Sequence, residues 1–277
     1  MMKFGFVTCV QLGLSCIEKI YAMQGKLDLL ITLKDEKAKK KSGRIYLDDF
    51  SEKHQIPLLK INHINDFEVL EAIKEYDLDW LFIIGWSQIA SKEIISAPKN
   101  GCIGMHPTML PVGRGRAAIP WAIIKGLDKT GVSMFVLDEG VDTGPILGQY
   151  EIEITEDETS STLYKKVEDS HELLMEKVFP KLGENNYTLT YQDERAATIW
   201  EGRKPEDSRL NFEMSVHVVE RMVRASTHPY PGAFIETGNI KRIIWEGKIV
   251  KEKVDVNTLQ FADGFYHVTS FEDIEIS

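Results

Sequence analysis

The N-terminal part of the chain alternates short apolar runs with segments of helical period, and this alternation limits the possible folds more than any other feature. Phe4-Gly5-Phe6-Val7 reads as a buried strand, after which Leu14, Ile17, Ile20 and Tyr21 recur at helical spacing. Leu27 to Leu33 predicts a second strand, and a polar stretch from Lys34 to Tyr46 leads into a helix near Leu47 to His54. Pro57 opens a third strand, Leu58 to Ile61, and Asn65-Asp66 can cap a helix from Phe67 to Tyr76. Leu78 to Trp86 gives a fourth strand, apolar on both faces, and Cys102 to Met105 a fifth, preceded by a short helix near Ser91 to Ile95. Strands that are apolar on both faces and separated by helices imply a mostly parallel, Rossmann-like sheet covered on both sides.

Ile119 to Ile124 predicts a further helix, and Gly131 to Leu137 and Ile146 to Ile154 two more strands. A long amphipathic helix, Thr159 to Leu182, closes a first domain of residues 1–183. From Gly183-Glu184-Asn185-Asn186 onward the pattern changes to short polar strands with one helix, Ser215 to Ala225, so residues 184–277 are expected to form a small β-rich domain. Its alternating stretches, Lys241 to Lys251 and Phe265 to Thr269, suggest an antiparallel unit. Ile240, Ile243, Ile244, Trp245 and Ile249 are as compatible with a homodimer interface as with a small core.

A net charge of -10 disfavours nucleic acid as the main partner, because phosphate neutralisation supplies most of that affinity. Cys9, Cys16 and Cys102 are odd in number and lack metal-ligand spacing, which indicates neither a disulfide framework nor a metal site and suits a reducing cytoplasm. No apolar run approaches the roughly 20 residues that span a bilayer, and the N-terminus enters a strand pattern at once, so no membrane segment is expected.

His106 stands at the end of the fifth predicted strand, where open α/β sheets bind ligands. A single histidine there is more often structural than catalytic, but Pro107 and Pro111 stiffen the exit loop. Gly113, Arg114, Gly115 and Arg116 follow, and such a loop suits an anionic ligand through bidentate guanidinium contacts. The alternative is a solvated turn. Gly5 lies inside a strand with no three-glycine turn after it, which argues against a nicotinamide cofactor. Asp138, Glu139 and Asp142 share a loop with Gly140 and Gly144. Their spacing fails the calcium-loop pattern, while a carboxylate here could orient an imidazole on the next strand.

The run Ile103-Gly104-Met105-His106-Pro107-Thr108-Met109-Leu110-Pro111 is joined by Ile119-Pro120-Trp121-Ala122-Ile123, Thr130-Gly131-Val132 and Asp138 through Gly144. Together they closely resemble the 10-formyltetrahydrofolate-dependent formyltransferases. Arg203-Lys204-Pro205-Glu206-Asp207, Arg224-Ala225 and His228-Pro229-Tyr230-Pro231-Gly232 look like the C-terminal portion of methionyl-tRNA and amino-sugar formyltransferases. The resemblance implies that His106 and Asp142 flank the point where an amine attacks the formyl carbon. It also implies that the pterin of the donor sits between Trp86, Gln88, Ile89 and Ala90 on one side and Val136, Asp138, Gly140 and Val141 on the other. One position departs from the pattern: the family's asparagine, whose amide donates to the formyl oxygen, is replaced by Gly104. Gln88, Asn100, a water or protonated His106 could take over that donation.

Among acceptors, the long second domain disfavours a glycinamide ribonucleotide. The short Lys37 to Arg44 loop and the acidic composition lean away from tRNA, which stays the alternative beside a non-catalytic folate- or nucleotide-binding relative. The favoured acceptor is an amino sugar carrying UDP or dTDP, with Arg114, Gly115, Arg116 and Arg44 toward the diphosphate. The pathway suggested is bacterial surface glycan or lipopolysaccharide formylation. The glycine at 104 and the Gly-Arg-Gly-Arg loop look most similar to the pseudaminic-acid-type branch and to formylation domains of peptide synthetases.

Overall fold

The computed structural model describes residues 2–38 and 44–276. Lys39 to Gly43, most of the basic loop noted above, lie outside the described residues. Contacts divide the chain into two compact units. The first is Met1–Arg114, Gly131–Glu151 and Glu168–Thr198; the second is Gly115–Thr130, Ile152–Val167 and Ile199–Ser277.

The first unit is built on β1 (Phe4–Val7), β2 (Leu29–Leu33), β3 (Leu58–Ile61), β4 (Trp80–Ile83) and β5 (Gly101–His106). A two-residue strand β6 (Arg114–Gly115) precedes β7 (Lys129–Val136) and β8 (Ile146–Glu153). The main sheet has the order β3-β2-β1-β4-β5-β7-β8. The first five strands pair in parallel, and β7 runs antiparallel to β5 with His106 opposite Ser133. The fold is therefore mixed α/β with a mostly parallel sheet, as the alternating pattern predicts.

Val7, Leu29, Ile31, Ile61, Leu81 and Cys102 form one contiguous core cluster. Full burial of such side chains is worth ~1.5–3 kcal/mol each before chain entropy is subtracted. Helices Gln11–Ala22 and Phe67–Glu75 turn apolar faces inward, burying Cys16, Ile17 and Ile20 in one and Val69, Ala72 and Ile73 in the other. Asp66 occupies the N-cap of the latter helix, but its carboxylate accepts from the amides of Asn62 and His63 (3.0 and 2.8 Å) and makes no side-chain cap bond. The expected cap residue thus folds the turn before the helix.

The strand read as Leu78 to Trp86 is shorter than expected, because pairing stops at Ile83 and the chain turns at Gly85 with a positive φ. Residues 84–90 are loop, and that loop lies at the C-terminal end of the parallel strands.

In the second unit, β10 (Ala233–Thr237), β11 (Ile240–Val250), β12 (Thr258–Phe261) and β13 (Gly264–Glu275) form an antiparallel sheet, ordered β10-β11-β13-β12. A further two-residue strand, β9 (Ile199–Trp200), precedes them in the chain. The helix Val216–Ser226 packs Val219 and Val223 against Ile244, Tyr266 and Val268. Of the C-terminal apolar residues offered for an interface, Ile244 belongs to this core, while Ile240 and Ile249 are exposed. Arg224 binds the carboxylate of Glu220 and the backbone carbonyl of Glu158 (2.6 Å), and Ser160 donates to the Ala225 carbonyl (2.6 Å). Arg203 donates to the Asp207 carbonyl (3.0 Å) and lies over the Trp121 ring at 5.0 Å. These motif residues of the C-terminal portion are internal staples.

Candidate active site

His106 is the last residue of β5 and is buried. Its Nε2 lies 2.7 Å from the carbonyl of Gly113. A carbonyl can only accept, so Nε2 carries a proton in every protonation state that keeps this bond. The neutral ring is then bare at Nδ1, the nitrogen that faces Asp142, with 3.5 Å to Oδ2. Nδ1 is therefore the nitrogen that carries the lone pair, set beside the Asp142 carboxylate.

The two loops that carry this pair are built differently. The chain after β5 is pinned through Ser133: Leu110 donates its amide to Ser133 Oγ (3.0 Å), which donates to the Thr108 carbonyl (2.7 Å). Asp142 belongs to the β7–β8 connection, where its own φ is +55°. Asp138 shapes that turn by accepting from the Gly140 amide (3.1 Å) and the Thr143 hydroxyl (2.6 Å). At Gly144 a Cβ would stand 1.7 Å from the Val136 carbonyl oxygen, so no side chain fits where the connection closes.

The loop 86–91 is braced from the other side. Gln88 accepts from the Ile64 amide (2.8 Å) and donates to the Asn62 carbonyl (3.1 Å), while Asn65 donates to the Ile89 carbonyl (3.1 Å) and accepts from the Ser91 amide (2.8 Å). Trp86 packs against the clusters of Cys9 and Leu33. An ion pair between Lys92 and Glu139 (2.7 Å) ties the end of this loop to the 138–144 turn. Ile89 and Val141, one on each of these two loops, are 86% and 63% exposed, apolar surface of the kind that a flat heterocycle covers.

Residues 15–179 match the family model described as formyl transferase, and residues 203–266 match that of the formyl transferase C-terminal domain. The chain belongs to the formyltransferase family. A bifunctional polymyxin resistance protein ArnA from Wigglesworthia glossinidia brevipalpis is 31% identical over 238 residues, which cover 86% of this chain and 36% of that protein. The chain thus spans about a third of the length of this relative.

Among solved structures, the formyltransferase resembles an N-formyltransferase from Helicobacter canadensis in complex with folinic acid and dTDP-3-aminofucose. The TM-score is 0.74, at 18% identity over 98% of this chain and 100% of that one. A methionyl-tRNA formyltransferase from Clostridium thermocellum gives a TM-score of 0.63 at 20% identity, covering 99% and 100% of the two chains. These likenesses establish the fold.

Several residues expected at the formyltransferase site have other partners. Arg114, assigned to a diphosphate, is buried and donates to Glu194 through both Nη atoms (2.9 and 2.7 Å) and to Gln192 through Nε and Nη2 (3.1 and 2.8 Å). A guanidinium this far from water requires such acceptors, so the Gly-Arg-Gly-Arg sequence reflects an internal anchor. The Glu194 carboxylate holds Arg114 above its ordinary pKa, and Arg114 holds Glu194 below its own. Arg44 is likewise turned inward, donating to Thr32 Oγ1 (3.2 Å) and the Leu33 carbonyl (2.9 Å). Gly115, expected beside the diphosphate, serves close approach instead: a Cβ there would lie 2.4 Å from the Trp200 carbonyl oxygen. Arg116 is exposed.

Of the groups offered to replace the family asparagine, Gln88 has its amide engaged as described. Asn100 precedes β5, at the end opposite His106. At Gly104 itself a Cβ would meet Leu137 Cδ2 at 2.7 Å, so an apolar side chain fills the room that an asparagine takes in the family pattern.

All three cysteines are free and buried, and burial pushes the Cys102 thiol up to about 12. Among the described residues no group of three or more His, Cys, Asp or Glu could hold a metal ion, and no helix is long and apolar enough to cross a membrane. A cavity of about 560 Å³ lies in the second unit, lined in part by Asp128, Arg221 and Lys248, and shares no residue with the His106 cluster.

Residues absent from the sequence-based site are Gln192 and Glu194. Nothing in their local spacing marks them.

Proposed function

We propose that the chain transfers the formyl group of 10-formyltetrahydrofolate to the amine of a nucleotide-linked deoxyamino sugar, UDP- or dTDP-borne, with residues 1–183 as the catalytic domain. The observation that carries this reading is the His106–Asp142 pair, with Nε2–H held by a carbonyl and Nδ1 facing the carboxylate. Attack by a neutral amine on the formyl carbon forms a C–N bond and places charge on the formyl oxygen. His106 Nδ1 takes the proton that the amine must lose, and Asp142 stabilises the resulting imidazolium. That cation then lies beside the developing oxyanion, the donor we assign in place of the missing asparagine. It returns the proton to the departing N10 of tetrahydrofolate as the formamide forms.

Ile89 and Val141 are proposed to flank the pterin, with the backbone of 136–142 toward its polar edge. The exposed Arg116 remains the candidate for the diphosphate. The setting is proposed to be cytoplasmic synthesis of a bacterial surface glycan, with the pseudaminic-acid-type branch favoured by Gly104.

The test incubates the protein and 10-formyltetrahydrofolate with a panel of UDP- and dTDP-linked 3-amino and 4-amino sugars, beside initiator methionyl-tRNA. The readout is a mass gain of one formyl group. Formylation of a nucleotide sugar that His106→Ala abolishes is the expected result. Transfer to the tRNA alone would assign the chain to the alternative acceptor, and donor binding without transfer to any acceptor would leave a folate-binding relative.

A further inference from the structure

We propose that Gln192, linked to Arg114 and Glu194, is a positioning residue that sets the register between His106 and Asp142. The inference rests on the reading above that these two residues handle the proton. Gln192 Nε2 donates to the backbone carbonyls of both Asp142 and Gly144, each at 2.8 Å. Its Oε1 accepts from Arg114 Nε and Nη2 at 3.1 and 2.8 Å, so both amide hydrogens and the amide oxygen are engaged. Arg114 is in turn gripped by Glu194.

The same segment holds the histidine side. The Gly113 amide donates to Thr198 Oγ1 (2.8 Å) and the Arg114 amide to the Thr198 carbonyl (2.9 Å). The Thr198 amide donates to the Pro111 carbonyl (3.2 Å). Gly113 is the residue whose carbonyl receives His106 Nε2–H. One stretch, residues 192–198, therefore fixes the acceptor that sets the imidazole tautomer and the backbone that carries the carboxylate. Its bonds to Asp142, Gly144, Gly113 and Pro111 are made to their backbone groups, so its effect on chemistry passes through the spacing of ring and carboxylate.

The side chain at 192 must have an amide and this length. Glutamate matches the length but presents oxygen to two carbonyl oxygens, and asparagine is one methylene short of spanning Arg114 and Gly144. Misplacement by about 1 Å can lower a rate by about a hundredfold.

The test uses the full chain with 10-formyltetrahydrofolate and dTDP-3-aminofucose, or whichever panel sugar is formylated, in the parent, Gln192→Glu, Asp142→Asn and the double variant. Gln192→Glu is expected to lower kcat at least tenfold, with KM for both substrates within threefold. The double variant should be no more than twofold slower than Asp142→Asn, because Gln192 acts through Asp142; losses that multiply would reduce Gln192 to a general structural role. A readout without turnover is long-range 1H–15N correlation of the histidine rings. It should report a pure Nε2–H tautomer for His106 in the parent and a mixture in Gln192→Glu.

Should Gln192→Glu fail to fold, Glu194→Ala opens the same clamp from its exposed end and should drop kcat by about twofold to fivefold with the same tautomer change. Parent-like kcat and an unchanged tautomer in the folded variant overturn the proposal. Full activity in His106→Ala would instead overturn the proton-handling reading beneath it.

Discussion

The two loops that meet at the site, residues 107–114 and 137–145, are held by opposite means. The first is anchored in the interior. Leu110 is buried with Phe135 and Ile146, and its carbonyl accepts from Gln149 (2.9 Å). The second is a surface turn, shaped by the exposed carboxylate of Asp138 and an exposed ion pair, with Val141 in solvent. Buried contacts must open together, whereas a polar surface turn opens locally at a smaller free energy. The imidazole is therefore the rigid half of the pair, and the carboxylate is the half that depends on an outside brace.

The difference can be broken at the rigid end first. His106→Ala removes the group that takes the amine proton and should lower kcat by roughly 10²- to 10⁴-fold, the range general acid–base groups supply. Steady-state rates with saturating donor measure this, and a thermal melt within a few degrees of the parent would show that the loss is chemical. Asp142→Asn should lower kcat less, by roughly tenfold to 150-fold, corresponding to the ~1.5–3 kcal/mol of a charge-assisted interaction. Asparagine tolerates the φ of +55° at this position, so the loop should keep its shape. If the two variants lost equal activity, the imidazole would be useless without its carboxylate, and the hierarchy of rigid and braced halves would be wrong.

Much of the rigid half was legible in the sequence, and much of the braced half was not. Strand periodicity located β5 and hence His106. The glycines and carboxylates of 138–144 announced a turn able to aim Asp142. Local patterns report local structure, and those residues are contiguous. Gln192 lies fifty residues beyond Asp142, in a stretch without apolar period, and hydrogen bonds to backbone carbonyls at that range leave no spacing to read. Arg114 shows a related limit. Arginine between glycines looks the same whether the guanidinium meets a phosphate or the Gln192 carboxamide and Glu194 carboxylate of its own chain, and only the fold distinguishes them. Similarly, Gly104 could be recognised as a missing asparagine, but Leu137 filling its place depends on how β7 pairs with β5.

Gly104→Asn tests that last contact. The added side chain overlaps Leu137 and should destabilise the fold by about 1–3 kcal/mol, as overpacking does, while Gly104→Asn with Leu137→Ala should recover most of it in denaturant titrations. With His106 serving the oxyanion, the folded double variant should stay within about twofold of the parent kcat. A tenfold rise would mean that the native site runs without a donor.

The brace also has a calculable pH range. Glu194 is held below its ordinary pKa by Arg114, so its contribution is fully present above the unfolded glutamate value and is lost only as pH falls through the lower folded one. The rate ratio of parent to Glu194→Ala should accordingly stay constant from about pH 5 upward and shrink toward unity below about pH 4. A ratio that changed between pH 6 and 8 would locate the titrating group outside the clamp.

The smallest effect belongs to the other tie on the surface loop. Lys92 and Glu139 are paired at 2.7 Å, yet both side chains are about two-thirds exposed, so solvent screens the attraction and the flexible lysine loses rotamer freedom in making it. Lys92→Ala should leave the melting temperature unchanged within error and alter KM for 10-formyltetrahydrofolate by less than about twofold. A much larger KM change with an unchanged melt would mean that this pair, rather than Gln192, holds the carboxylate loop in register, and the contrast between an internally braced turn and a freely solvated one would have to be redrawn.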